Sequence, residues 1–173
     1  MYRVAILTIS DKGSKGERED ESGPAIRSII KAHGYSLSHY AVLPDEKELI
    51  SRELIRLADE GLAELILTTG GTGFSKRDVT PEATLAVAER LCPGIPEAMR
   101  AMSMEKTKRA MLTRGVAVLR GNSLIINLPG SKKAVSECLD CVIDQIEHGL
   151  DILTGIASEC AAPYNIPGSD SAH

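Results

Sequence analysis

Short apolar runs alternate with stretches of helical periodicity along this chain. Residues 2–10 carry Val4, Ala5, Ile6, Leu7 and Ile9 almost without interruption, which predicts a buried strand. A polar segment rich in Gly, Ser, Lys and Glu, 11–21, reads as a loop. Pro24 opens a predicted helix with Ile26, Ile29 and Ile30 on one face, and Gly34 ends it. Residues 35–43 alternate as a second strand, closed by Pro44-Asp45. Within 46–60, Ile50, Leu54, Leu57 and Ala58 fall on one helical face, and Gly61 stops the helix. Residues 62–69 form a third predicted strand.

In the second half, Thr80 and Pro81 are expected as the N-cap and first residue of a helix that runs close to Cys92-Pro93-Gly94. Another helix is expected at 96–104. Two strands, 114–119 and 123–128, are joined by Gly121-Asn122 as a tight hairpin turn. Ser131 caps a long last helix that buries Val135, Leu139, Val142, Ile146 and Leu153. The tail, 161–173, holds Pro, Gly, Ser and Asp and is expected to be mobile, which leaves 1–160 as a single domain. Strands alternating with helices imply an α/β fold. The expected architecture is a three-layer αβα sandwich with a mostly parallel sheet and one antiparallel hairpin strand.

That architecture makes a claim about chemistry. In open parallel sheets ligands sit beyond the carboxyl ends of the strands. Four loops should therefore meet at one edge: Ser10-Asp11, Pro44-Asp45-Glu46, the segment from Gly70 to Asp78, and Asn127 through Ser131 by way of Pro129 and Gly130. Three aspartates, Asp11, Asp45 and Asp78, would then share a cleft with two helix N-termini. Helix ends can hold phosphates, and one or two carboxylates can hold Mg²⁺ together with phosphate oxygens and water.

The most informative string is Thr68-Thr69-Gly70-Gly71-Thr72-Gly73-Phe74-Ser75-Lys76-Arg77-Asp78-Val79-Thr80-Pro81. Its glycines lack a Cβ, so the backbone can turn sharply and approach a ligand. It matches neither common phosphate signature: Lys76 follows Ser75 without the Gly-Lys-Ser/Thr ending, and no third dinucleotide-type glycine follows Gly73. Each carboxylate also has a structural reading. Asp45 could cap the following helix, Asp11 could be a turn residue, and Asp78 could simply favour a nearby helix N-terminus.

Composition narrows the field. The 173 residues are 43% hydrophobic yet include one Phe, four Tyr and no Trp, so the core must be aliphatic. A net charge of −4 argues against a general nucleic-acid binder, and any anion site must be local. No apolar stretch approaches the ~20 residues of a membrane-spanning helix. The start of the chain lacks a signal-peptide pattern, so the cytoplasm is the expected compartment, with reduced cysteines. Cys138 and Cys141 fall inside a helical pattern and read as core-facing thiols, not a metal half-site. None of the scattered histidines is assigned a catalytic role.

Taken together, these segments resemble the molybdenum-cofactor biosynthesis proteins of the MogA/MoaB type, a domain also present in plant Cnx1 and in gephyrin. The residues that carry the resemblance are Ile9-Ser10-Asp11, Leu43-Pro44-Asp45-Glu46, the string from Thr68 to Pro81 with Glu82-Ala83-Thr84, Ala110-Met111-Leu112-Thr113-Arg114, and Ile126 through Gly130. The resemblance implies a molybdopterin adenylyltransferase that moves AMP from Mg²⁺·ATP to the terminal phosphate of molybdopterin and releases pyrophosphate. It places the key acidic positions, and a Mg²⁺ site, on Asp45 and Asp78. Substrate and nucleotide contacts fall on Ser10, Asp11, Gly70, Gly71, Thr72, Gly73, Ser75, Asn127, Pro129, Gly130 and Ser131. A homo-oligomer, commonly a trimer, and transient contact with a molybdate-inserting protein are implied as well. Ser131-Lys132-Lys133 adds charge where the family turn often holds a neutral residue and Pro. The rival readings are a binding-only paralogue and a nucleotide pyrophosphatase on the same fold.

Overall fold

A computed structural model describes residues 1–156. The expected tail, 161–173, and Cys160 lie outside the described residues. The strands are β1 (Arg3–Ile9), β2 (Ser36–Leu43), β3 (Leu65–Thr69), β4 (Arg90–Leu91), β5 (Ala117–Arg120) and β6 (Ser123–Leu128). The helices are α1 (Asp11–Ser14), α2 (Ser22–Ala32), α3 (Lys47–Asp59), α4 (Thr80–Leu85), α5 (Gly94–Lys106) and α6 (Lys132–Leu153), with a 3₁₀ turn at Lys108–Leu112.

The strands form one sheet in the order β2-β1-β3-β6-β5-β4. Strands β1, β2, β3 and β6 are mutually parallel, and β5 runs against both β6 and β4. Side chains alternate between two cores. Val4, Ile6, Leu65, Leu67, Leu124 and Ile126 pack with α2, α5 and α6, whereas Ala5, Leu7, Ile66 and Ile125 pack with α3 and α4. The sheet is thus the middle of three layers. Burial on both faces explains why its strands read as unbroken apolar runs.

Four local expectations are corrected. The helix after the glycine loop ends at Leu85, and the chain then extends as β4, a two-residue strand on the sheet edge. Residues 11–14 of the expected loop form a short helix. Thr80 is the first helical residue and no cap, because its hydroxyl donates to the Gly70 carbonyl at 2.9 Å. Cys138 is buried, but Cys141 is exposed, so only one of that pair faces the core. Ser131 does cap α6, accepting from the Ala134 amide at 3.3 Å. The Gly121-Asn122 turn links β5 to β6, with Gly121 at φ +51°.

Polar burial is not spread evenly. Thr8, Ser22, Thr68, Thr69, Thr72, Thr80, Thr84 and Asn127 are all buried near the carboxyl edge of the parallel strands. Asn127 sits at the centre of this seam, 2% exposed. It pairs in register with Thr68 and donates to Thr68 Oγ1 and Thr84 Oγ1, both at 2.9 Å. Its side-chain oxygen accepts from the Val116 amide at 3.3 Å. Removing one member of such a network strands its partners out of reach of water. Asn127→Ala should therefore destabilise the fold by about 2 kcal/mol, read as a lower denaturation midpoint at unchanged slope.

Candidate active site

The chain leaves β1 to build β2 on one side and returns to build β3 on the other. The order β2-β1-β3 therefore reverses direction at β1, and such a switch point opens a crevice beyond the strand ends. A cleft of about 480 Å³ lies there, within the range of roughly 300–1,000 Å³ usual for small-molecule sites.

Two loops cross at its floor. The Gly70 amide donates to the Leu128 carbonyl at 3.2 Å, and Thr69 Oγ1 donates to the Pro129 carbonyl at 2.7 Å. Gly70 has φ +96°, and a Cβ there would collide with the Ile9 carbonyl. A Cβ on Gly130 would lie 3.2 Å from the Gly70 Cα. A side chain at Gly70 would have to displace the end of β1, and one at Gly130 would press on Gly70 itself.

Of the residues expected at the site, Ser10, Asp45, Gly70 and Gly71 line the cleft, as do Asp78, Gly130 and Ser131. Gly73 faces the Asp78 carboxylate: a Cβ there would lie 2.8 Å from Oδ2. Gly71 stands in the same relation to Asp45 Oδ1, at 3.0 Å. Among the described residues, the amides of Gly71, Thr72 and Gly73 donate to no protein acceptor. Ser75 lies on the outer side of the loop, where its amide donates to Asp78 Oδ2 and its carbonyl accepts the Asp78 amide, both at 3.0 Å. Thr72 and Asn127 are buried beneath the surface, and Pro129 supplies the carbonyl that Thr69 holds.

The structural alternative for Asp45 is not what is found. Asp45 does not cap α3, whose N-cap residue Glu46 makes no side-chain bond. Instead Asp45 Oδ2 accepts the Asp11 amide at 2.8 Å, and Asp11 Oδ1 accepts the Asp45 amide at 3.1 Å. Arg77 grips Asp11 with two bonds of 2.9 Å and holds its carboxyl below the ordinary range. Burial pushes Asp45 above the ordinary carboxylate range, and the charges of Asp11 and Asp78 add to the rise, outweighing the Asp11 amide and Arg77.

Other residues enter that sequence reading did not single out. Asp20 lines the cleft. Burial works to raise its pKa, but bonds from Thr8, Tyr40 and the Gly23 and Ser22 amides hold it below the usual value. The Ser22 hydroxyl in turn donates to the Gly130 carbonyl at 2.8 Å. The available signal was an Asp two residues before a Ser-Gly-Pro helix start, a capping pattern. Arg18 also lines the cleft, as does Lys132 of the charged turn noted in the sequence, and both supply local positive charge.

Among the described residues no group of three or more His, Cys, Asp or Glu side chains converges on a metal position. A cage made wholly of protein is therefore not built. Asp45 and Asp78 both line the cleft, whereas Asp11, expected to share it, does not and is occupied by Arg77. Two carboxylates beside unpaired loop amides suit a hard cation that keeps water and takes phosphate oxygens, as Mg²⁺ does.

Known proteins carry the same arrangement of segments. A family model described as a probable molybdopterin binding domain matches residues 5–148. The molybdopterin adenylyltransferase of Helicobacter pylori (strain J99) is 42% identical over 156 residues, 88% of each chain. That of Escherichia coli (strain K12) is 41% identical over 155 residues, 86% of this chain and 79% of its own. The crystal structure of the molybdopterin biosynthesis enzyme MoaB from Thermus thermophilus superposes with a TM-score of 0.85 at 46% identity, covering 90% of this chain and 98% of that one. The chain belongs to the molybdopterin-binding domain family of molybdenum cofactor biosynthesis proteins, of the MogA/MoaB type.

Proposed function

We propose that this protein is a molybdopterin adenylyltransferase, moving AMP from Mg²⁺·ATP to the terminal phosphate of molybdopterin with release of pyrophosphate. The observation that carries this reading is the meeting of Asp45, Asp78 and the Gly70-Gly71 turn of the glycine loop in one cleft at the switch point. The names of the relatives supply the substrate pair.

Adenylyl transfer by in-line displacement at the α-phosphorus needs positioning and charge stabilisation more than a protein nucleophile. A phosphate monoester is already anionic at neutral pH, so its attacking oxygen needs no strong base. The Gly71 amide, at the cleft, and the neighbouring Thr72 and Gly73 amides donate to no protein acceptor among the described residues, and Ser131 with Lys132 borders the cleft beside Gly71. Asp45 and Asp78 would hold Mg²⁺, which when bound neutralises the polyphosphate and the departing pyrophosphate. A homo-oligomer, trimeric by family resemblance, and handover to a molybdate-inserting protein complete the proposal. Exposed Phe74, beside the glycine loop and 69% accessible, supports a contact surface there.

Mass spectrometry of a mixture of the protein, molybdopterin and Mg²⁺·ATP should show adenylylated molybdopterin and pyrophosphate; molybdopterin binding without product would defeat the proposal. Asp78→Ala should cut turnover by about 10²- to 10³-fold while leaving the circular dichroism spectrum unchanged. Loss of folding instead would make Asp78 a structural residue.

The raised pKa of Asp45 gives a further test. The folded state binds this proton more readily than the unfolded chain does, so the contribution to stability is present at acid pH. It is lost as pH rises through the folded value. Asp45→Asn should therefore raise the melting temperature at neutral pH by a few degrees, with the gain vanishing at acid pH. The same change should depress adenylyl transfer. A variant that melts lower than the parent at neutral pH would contradict the assigned strain.

A further inference from the structure

We infer that Arg114 is the positioning residue of the glycine loop, holding Asp78 and the loop amides in their working orientation from outside the cleft. The inference rests on the adenylyl-transfer reading above. Arg114 does not line the cleft; with Phe74 and Val79 it lines a depression on the other side of the loop. Its Nε donates to the Gly73 carbonyl at 2.7 Å, and its Nη2 donates to the Asp78 carbonyl at 2.6 Å. Nη1 pairs with Glu82 on α4. The Arg114 backbone amide donates to the Thr72 carbonyl at 2.9 Å. One residue thus grips the loop at Thr72, Gly73 and Asp78 and ties it to the helix that follows.

The remaining bonds in this segment do not replace that grip. Thr80 fixes the base, with its amide on the Gly71 carbonyl at 3.1 Å and its hydroxyl on Gly70. Ser75 and Asp78 close the tip on each other. Residues 74–77 are exposed and have no core packing to hold them; Arg77 ties the tip to Asp11 through its side chain but grips no loop carbonyl. Between base and tip, Arg114 holds the backbone carbonyls.

The grip also has a direction. In a trans peptide the C=O and the following N–H point opposite ways. Drawing the Thr72 and Gly73 carbonyls toward Arg114 turns the Gly73 and Phe74 amides away from it. Holding the Asp78 carbonyl fixes the backbone from which the carboxylate projects into the cleft. A planar guanidinium can donate to two carbonyls and a carboxylate together, which a lysine ammonium on a flexible stem cannot reproduce.

The test uses Arg114→Lys and Arg114→Gln in the full chain, with hydrogen–deuterium exchange of the free protein and adenylyl-transfer kinetics. In both variants the hydrogen-bonded amides of the loop, those of Ser75, Arg77 and Asp78, should exchange several-fold faster, while β3 and α6 keep their protection. Turnover should fall by about 10²-fold, the scale set by misplacing reacting groups by ~1 Å, and the Mg²⁺ needed for half-maximal rate should rise. Molybdopterin affinity and melting temperature should stay near those of the parent. Unchanged exchange at Ser75, Arg77 and Asp78, or wild-type turnover in Arg114→Lys, would overturn the inference. So would exchange that accelerates equally in β3 and α6 with a lower melting temperature, the mark of a general structural role. If the parent protein itself makes no adenylylated product, the functional reading fails, and the exchange pattern alone decides whether Arg114 positions the loop.

Discussion

Everything at the candidate site depends on two loops crossing where β3 and β6 end. The Gly70 amide on the Leu128 carbonyl and the Thr69 hydroxyl on the Pro129 carbonyl lock the glycine loop over the turn into α6. That close approach is helped by the lack of a Cβ on Gly130, which would press on the Gly70 Cα, while the bare Gly70 lets the loop pass the end of β1 at Ile9. Beneath the crossing lies a seam of buried threonines and Asn127 that would be costly in an apolar core. It is tolerated because its hydrogen bonds close on one another. The seam fixes the register of β3 and β6 and keeps the strand ends level, so loops far apart in sequence face one space.

The cleft above this floor stores electrostatic strain. Asp11 is satisfied by Arg77, and Asp20 by four donors. Asp45 stands partly buried beside Asp11 and Asp78 and is pushed toward protonation. Protein elements that carry function commonly hold such groups at a cost in stability. Here the strained carboxylate and the unpaired amides lie together, a combination a bound phosphate–cation pair would relieve on both sides.

Much of the fold was legible in the chain. Strands buried on both faces leave unbroken apolar runs, and their alternation with amphipathic helices implies parallel order. From that order alone followed the convergence of the loops at Ser10, Asp45, Gly70 and Gly130. Elements with too few residues to show a period were not legible: α1, the two-residue β4 and the early end of α4, whose apolar pattern continues through Val87. Asn127 was legible as part of a turn but not as buried. Only its register opposite Thr68 sets it beneath the surface instead of in the cleft. Asp20 offered a local capping pattern, but its bonds from Thr8 and Tyr40 come from neighbouring strands. Arg114 was legible only as part of the string that carries the family resemblance and not as a grip on the loop, because its partners Gly73 and Asp78 are 41 and 36 positions away.

The central claim is that the crevice between the ends of β1 and β3 receives the nucleotide phosphates, with Asp45 and Asp78 serving their cation. A crystal structure of the protein with Mg²⁺ and a non-hydrolysable ATP analogue tests this most directly. The account predicts triphosphate oxygens on the amides of Gly71 to Gly73 and a cation contacting the Asp45 and Asp78 carboxylates. A nucleotide lodged elsewhere, for instance in the apolar cavity of about 260 Å³ bordered by Met99, Pro129 and Cys138, would contradict it. So would a nucleotide in this crevice whose cation touches neither aspartate.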